Sequence, residues 1–309
     1  MRIFVTGATG YVGREVCWAL HRAGHAVVGL ARQQEKASLV RIDGLEWVIG
    51  NLRDARTFLE EASDCEAFVH LAAEGGSDSA AVDRNGIDTL LDAAGRGRER
   101  VLVYTSGVWV LGSTGPSPVD ESVPIASPAP LVAWRPAHEQ KVLAAGGRDL
   151  VTAVVRPGLV YGGRGGLMEG FFSQAVQKGR PTIVGDGHNR WPGVHLGDLG
   201  DLFVRLLEAA LTQSVRALKS EDRVFHGVAG APERVADMAR AASRAAGGED
   251  AVAYWPLEEA REKLGSFADA VVLDQAVRAT RSSEILGWKP RFRGFVRNAP
   301  ELFAEWKSA

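Results

Sequence analysis

Cysteine is nearly absent from this chain: Cys17 and Cys65 are the two in 309 residues, and neither stands in a cluster with histidine. That leaves no disulfide framework and no cysteine-based metal site to build on. No stretch approaches the roughly 18 consecutive apolar residues of a membrane span. Met1 leads directly into an apolar strand without the basic-plus-apolar leader of an export signal. A cytoplasmic protein that does not engage membranes is the expectation. Charge of one sign is also lacking, because the formal net charge is −2. Without a basic excess, nucleic acid is not an expected partner. Internal repeats, low-complexity tracts and disordered linkers are missing too, which excludes solenoids and tails. What remains is a composition that is 46% hydrophobic and 24% charged, enough to bury one large α/β core with or without a smaller appendage. Alanine is abundant and arginine is favoured over lysine, a bias of GC-rich bacterial genomes that concerns source and not chemistry.

The most informative stretch is Ile3-Phe4-Val5-Thr6-Gly7-Ala8-Thr9-Gly10-Tyr11-Val12-Gly13-Arg14. A run of β-branched residues breaks into glycines and continues as a helix, the order a phosphate site needs. Gly7 lets the chain leave the strand sharply, and Gly10 lets backbone N–H groups approach a pyrophosphate with no Cβ in the way. Gly13 lets the helix pack close to the strand, and the anion then sits on the helix N-terminus. The spacing is G-x-x-G-x-x-G, and Thr6-Gly7-Ala8-Thr9-Gly10-Tyr11-Val12-Gly13 resembles the short-chain dehydrogenase/reductase superfamily, in its extended and atypical branches that include epimerase/dehydratase-like proteins. The resemblance spans nearly the whole chain. It implies an α/β fold, a Rossmann-type doubly wound parallel sheet with a smaller C-terminal substrate-binding region. The core is expected at about residues 1–162 and 192–230, and the substrate-binding or lid region at about 163–191 and 231–309, all within one unit of 1–309.

In chain order, a first helix is predicted over Tyr11–Arg22 and a second strand over His25–Leu30. An NAD-binding protein places an acidic residue on the ribose 2′-OH just past that strand. Here the segment reads Ala31-Arg32-Gln33, so Arg14 and Arg32 offer two cations to a 2′-phosphate and no carboxylate repels it. NADP(H) is the expected cofactor, with two solvated surface arginines as the alternative. A third strand over Leu45–Ile49 ends at Gly50-Asn51-Leu52, where Asn51 is placed to hydrogen-bond the adenine amino group. The apolar run Ala67–Ala73 is the fourth strand, with Leu71, Ala72 and Ala73 against the cofactor and His70 read as a packed core histidine. The resemblance adds Thr9, Tyr11 and Val12 at the phosphate turn, and Pro157, Gly158, Leu159 and Val160 beside the nicotinamide. Residues beyond the last strand, Val224–Val228, are expected to be helical.

The catalytic pattern breaks. The family follows its fifth strand, here Val101–Ser106, with a Ser or Thr, and carries Tyr-x-x-x-Lys on the next helix, with both side chains on one face. Here Gly107 stands at the serine position, Trp134 at the tyrosine and His138 at the lysine. Side chains alternate along a strand, so Thr105 is the nearest candidate hydroxyl and Ser106 points away. Thr105 and His138 are therefore the candidate catalytic residues, and both count as cofactor contacts. Gly107, Trp109, Trp134, Asn189 and Trp191 are the candidate substrate contacts, the alternative being that some of these tryptophans are core.

The expected activity is NADPH-dependent reduction of a bulky aromatic, polyketide-like ketone. A non-catalytic NADP(H)-binding regulator and a sugar-nucleotide epimerase or dehydratase are the alternatives. Arg84, Asp88, Asp92, Arg135 and Glu139 are read as the outer face of the two helices through which relatives dimerise. Such charges are costly to desolvate unpaired, so a monomer or weak homodimer is expected.

Overall fold

In the computed structural model, which describes residues 1–97 and 99–309, seven strands form one parallel sheet. They are β1 (Arg2–Thr6), β2 (Ala26–Ala31), β3 (Glu46–Ile49), β4 (Ala67–His70), β5 (Arg100–Thr105), β6 (Leu150–Pro157) and β7 (Val224–Gly227). Their spatial order is β3-β2-β1-β4-β5-β6-β7, so the direction of winding reverses between β1 and β4. In an open α/β sheet that reversal leaves a crevice beyond the carboxyl ends of the strands, and ligands bind there.

The longer helices are α1 (Tyr11–Arg22), α2 (Ser79–Gly95), α3 (Arg135–Ala144), α4 (Glu169–Lys178), α5 (Leu196–Leu211), α6 (Val235–Ala245) and α7 (Phe295–Ser308). Successive residues of β1 feed opposite faces of the sheet. Ile3 and Val5 pack with Val16, Cys17 and Leu20 of α1 and Leu199, Leu202 and Phe203 of α5. Phe4 packs on the other face with Leu90 and Ala93 of α2 and Val142 of α3. Both faces are thus covered, which is why the strands read as continuous apolar runs. The buried positions of α1, Gly13, Val16, Cys17 and Leu20, fall at helical spacing. The helix stops before Gly24, which takes φ +85°.

A third core gathers Phe171 and Phe172 of α4, Met238 of α6, and Phe295 and Leu302 of α7. Three short two-stranded ladders lie outside the seven-stranded sheet. Leu159–Tyr161 pairs with Gly193–His195, Arg190–Trp191 with Glu233–Arg234, and Thr182–Val184 with Ala253–Trp255. The region after β7 is therefore not purely helical, contrary to the sequence reading. Strands of two and three residues are too short to establish a period-two signal, and long-range pairing alone defines them.

Candidate active site

The glycine turn after β1 is shaped for close backbone approach. Gly7 takes φ +71°, and a Cβ there would lie 2.6 Å from the Ala72 nitrogen. A Cβ on Gly13 would lie 1.9 Å from the Gly7 carbonyl oxygen, whereas one on Gly10 would lie 3.1 Å from it. Gly10 begins α1 with no side-chain cap and no acidic residue in the first turn, which leaves the first helical N–H groups for an anion. A cavity of about 330 Å³ opens on this turn. Gly7, Thr9, Gly10, Tyr11, Val12 and Gly13 line it from the turn, and Leu71, Ala72 and Ala73 from the loop after β4. The cradle fits a dinucleotide pyrophosphate.

At the far end of this cavity the sequence reading needs correction. Arg32 lines it, but so does Glu74, whose carboxylate accepts from Arg32 at 3.4 Å and from Arg53 at 2.9 Å. The loop after β4 thus brings a carboxylate to the place expected to be free of one. Arg14 is exposed and lines a different recess, with Trp18, Arg41 and Arg164. Asn51 Oδ1 accepts from the Arg53 backbone N–H at 2.9 Å and closes its own turn. Gly50 and Leu52 line the cavity beside it.

A second cavity of about 370 Å³ shares Tyr11, Val12, Leu71 and Ala73 with the first, so the two adjoin. The end of β5 contributes Thr105, Ser106, Gly107, Val108 and Trp109, and the end of β6 contributes Pro157, Gly158, Leu159 and Val160. Thr105 Oγ1, Ser106 Oγ and Trp109 Nε1 are buried without a hydrogen-bond partner among the described residues. Three unsatisfied polar atoms around one cavity are what a site awaiting a polar ligand presents. Ser106 was expected to point away; β5 ends at Thr105, and strand alternation does not carry past it. Gly107 has extended backbone, and a Cβ there would meet only the Pro157 carbonyl oxygen, at 3.9 Å. The missing side chain therefore leaves open space.

Neither Trp134 nor His138 lines this cavity. Trp134 precedes α3, its ring 5.0 Å from that of His138 and 4.7 Å beneath the Arg135 guanidinium. Arg135 is the α3 residue that does line the cavity, and its Nη1 donates to the Thr105 carbonyl at 2.8 Å and the Tyr104 hydroxyl at 3.3 Å. The sequence reading had put Arg135 on an outer surface. Glu139 was assigned there too, yet it is buried and bonded to Arg156 at 2.6 Å. A pattern that tracks only the tyrosine and lysine columns of the helix misses the arginine one residue on.

Behind Arg135 lies a buried network centred on Asp83. His138 Nδ1 stands 2.7 Å from Asp83 Oδ2, and the Tyr104 hydroxyl donates to the same oxygen at 2.9 Å. His70 Nε2 lies 3.4 Å from Asp83 Oδ1, and its Nδ1 meets Thr6 Oγ1 at 2.6 Å. Burial alone would raise the Asp83 carboxyl, but the hydrogen bond from His138, the proximity of His70 and the charge of Arg135 hold it well below the usual carboxylate range. Burial, aided by Asp83 and opposed by Arg135, pushes the Tyr104 phenol well above its ordinary value, and its proton is committed to Asp83 behind the cavity.

The remaining candidates sit elsewhere. Asn189 Nδ2 donates to the Val271 and Leu273 carbonyls at 3.0 and 3.2 Å, a clamp between loops. Trp191 donates to the Val271 carbonyl at 3.0 Å, stacks on Phe171 at 5.9 Å, and lines a third cavity. Asp198 accepts from the backbone N–H groups of Arg291 and Phe292 and so pins the segment before α7.

Fold and cradle together define a dinucleotide-binding α/β protein. The profile of the NAD dependent epimerase/dehydratase family matches residues 3–217, and the chain belongs to that family. An uncharacterised protein of Schizosaccharomyces pombe is 30% identical over 94% of this chain and 95% of its own. A UDP-glucose 4-epimerase of Mycolicibacterium smegmatis is 29% identical over 94% of each. A 4-hydroxy-2-methyl-3-oxo-4-farnesyl-3,4-dihydroquinoline-1-oxide ketoreductase of Stigmatella aurantiaca is 34% identical over 52% of this chain and 51% of its own. Among solved structures, the UDP-glucose 4-epimerase of Thermotoga maritima superposes with a TM-score of 0.82 at 18% identity, covering 100% of this chain and 99% of the other. Family members are NAD(P)-dependent oxidoreductases and epimerases, so the chain is placed at that level. No helix of the described residues is long and apolar enough to cross a membrane.

Proposed function

We propose that this protein is an NADPH-dependent ketoreductase acting on a bulky aromatic, polyketide-like ketone in bacterial secondary metabolism. The observation that carries the reading is the cavity at the end of β5, which borders the dinucleotide cleft and is apolar apart from Thr105, Ser106, the Trp109 indole N–H, Arg135 and Tyr11, whose hydroxyl is bonded to the Gly162 carbonyl. Gly7, Gly10 and Gly13 hold the pyrophosphate, and Pro157–Val160 and Leu71–Ala73 flank the nicotinamide end. A bound nicotinamide supplies the hydride. The Thr105 and Ser106 hydroxyls hydrogen-bond the carbonyl oxygen, and the Arg135 charge stabilises the alkoxide as it develops. Thr105 delivers the proton to that oxygen and is reprotonated from water, or an acidic phenol of the substrate supplies it. His138, fixed by Asp83 outside the cavity, acts as a positioning residue for α3. The loss of a dedicated acid forfeits roughly 10²–10⁴-fold in rate, which an activated ketone tolerates. The same pattern resembles atypical reductases of antibiotic assembly, such as the angucyclinone ketoreductase of the simocyclinone pathway. The assembly is a monomer or weak homodimer.

The full-length similarity to a UDP-glucose 4-epimerase favours a second reading, a sugar-nucleotide epimerase. Following NADPH absorbance with polycyclic ketones, and UDP-glucose conversion in parallel, separates them. Oxidation of NADPH by the ketones with no turnover of UDP-glucose is expected. UDP-glucose turnover alone overturns the proposal, and NADPH binding without turnover of either points to a regulator.

A further inference from the structure

A third cavity, of about 440 Å³, lies in the C-terminal lobe beside the reaction cavity at the end of β5. Phe171, Ile183, Trp191, Trp255, Leu264 and Phe267 are among its apolar lining residues, and Lys178 is its one cationic one. The two cavities meet at Leu167, which lines both. Trp109 of the reaction cavity packs edge-on against Phe267 of the lobe cavity, with centroids 6.0 Å apart. Leu167 follows a loop in which Gly162, Gly163 and Gly166 all take positive φ, a backbone that glycine alone adopts easily. The chemistry of the two chambers differs. Three buried polar atoms of the reaction cavity lack partners, while among the described residues no buried polar side-chain atom lining the lobe cavity does. The Trp191 indole N–H is already bonded to the Val271 carbonyl, and Gln174 Oε1 accepts from the Thr182 N–H.

We infer that the lobe cavity binds the apolar end of the same substrate, an uncharged ring or alkyl group reaching past Leu167 while the carbonyl stays beside Thr105 and Arg135. This rests on the ketoreductase reading for the identity of the substrate, but not for the affinity it predicts. A nucleoside diphosphate would lose the hydration of two anionic groups against aromatic walls with one lysine to offset it. A hydrocarbon loses nothing there and gains about fourfold in affinity for each methylene buried.

The test is calorimetric titration of the full chain, saturated with NADP⁺ so that no hydride is available, with 1-phenyl-1-alkanones of increasing alkyl length and with UDP-glucose, turnover being followed separately with NADPH. Affinity should climb about fourfold per methylene over the first several carbons, and UDP-glucose should bind more weakly than the longer ketones. Leu264→Trp, at the partly exposed rim, should abolish the climb while leaving acetophenone and NADPH affinity unchanged. Ile183→Phe fills the cavity from the opposite wall and guards against misfolding of the first variant. If no ketone turns over but the climb persists and both variants remove it, the cavity assignment stands and the ketoreductase reading falls. If short ketones turn over but affinity is flat with chain length, or both variants leave the climb intact, the assignment is wrong and the reductase survives. UDP-glucose binding that exceeds the ketones and is lost in both variants also overturns it.

Discussion

Cofactor preference at Arg32 is set by a competition that can be worked from the geometry. A charge-assisted hydrogen bond in a well-formed phosphate site contributes about 1.5–3 kcal/mol. The Arg32 side chain is 72% exposed, so solvent screening reduces its share to about 1 kcal/mol, or roughly fivefold in affinity. Glu74 sits 3.4 Å from Arg32 and is largely buried, with 17% of its side chain exposed. A 2′-phosphate drawn to Arg32 therefore meets a like charge at close range, which opposes it by about 1 kcal/mol in a water-like dielectric. Glu74→Gln should raise NADPH affinity about fivefold with NADH nearly unchanged, and Arg32→Ala should lower NADPH affinity by a similar factor. The Arg32 effect should shrink as salt is added, since that side chain is mostly exposed, and the Glu74 effect should shrink less. Calorimetric titration of each cofactor into parent and variants, at low and high ionic strength, measures all of this. If Glu74→Gln tightens NADH as much as NADPH, or Arg32→Ala leaves the ratio of the two unmoved, the 2′-phosphate is not read here and the reasoning fails.

His226 supplies a pH dependence. Burial, then the charge of Arg156, lowers its imidazole to about 4, while Nδ1 bonds to the Arg278 carbonyl at 3.0 Å. The folded chain keeps it neutral while the unfolded chain protonates near pH 6.5, so its stabilising contribution is complete above that value and is lost as pH falls towards about 4. The total is about 3 kcal/mol, with about 2 kcal/mol gone by about pH 5. Urea midpoints at neutrality and near that acid pH should therefore diverge in the parent and converge in His226→Gln; equal slopes in both would exclude His226 as the source. At the phosphate turn, Gly13→Ala sets a Cβ 1.9 Å from the Gly7 carbonyl oxygen, a backbone clash that no rotamer relieves. It should abolish cofactor binding by forcing α1 off the turn, and a variant that still binds NADPH with parental affinity would contradict that geometry.

The strand, glycine turn and helix at the start of the chain were legible because each is a local pattern. Ile3 to Val5 carries the β-branched run, and Val16, Cys17 and Leu20 carry the helical stripe. The alternating apolar runs and helices that follow imply a parallel sheet for the same reason. Even within the turn, sequence gives the three glycines comparable roles, while the structure makes Gly7 and Gly13 the positions where a side chain cannot fit. The catalytic surroundings were decided by contacts between segments far apart in the chain. Glu74 reaches Arg32 because β4 lies beside β1, which pairs with β2 on its other side. Asp83 of α2 meets His138 of α3 because both helices cover one face of the sheet. Arg135 enters the cavity and Glu139 turns inward to Arg156 through the rotation of α3 on that sheet. Periodicity tells which residues share a face of one element. Which charges then meet across the sheet depends on strand order and helix rotation, and those are properties of the packed molecule that no local window of the sequence contains.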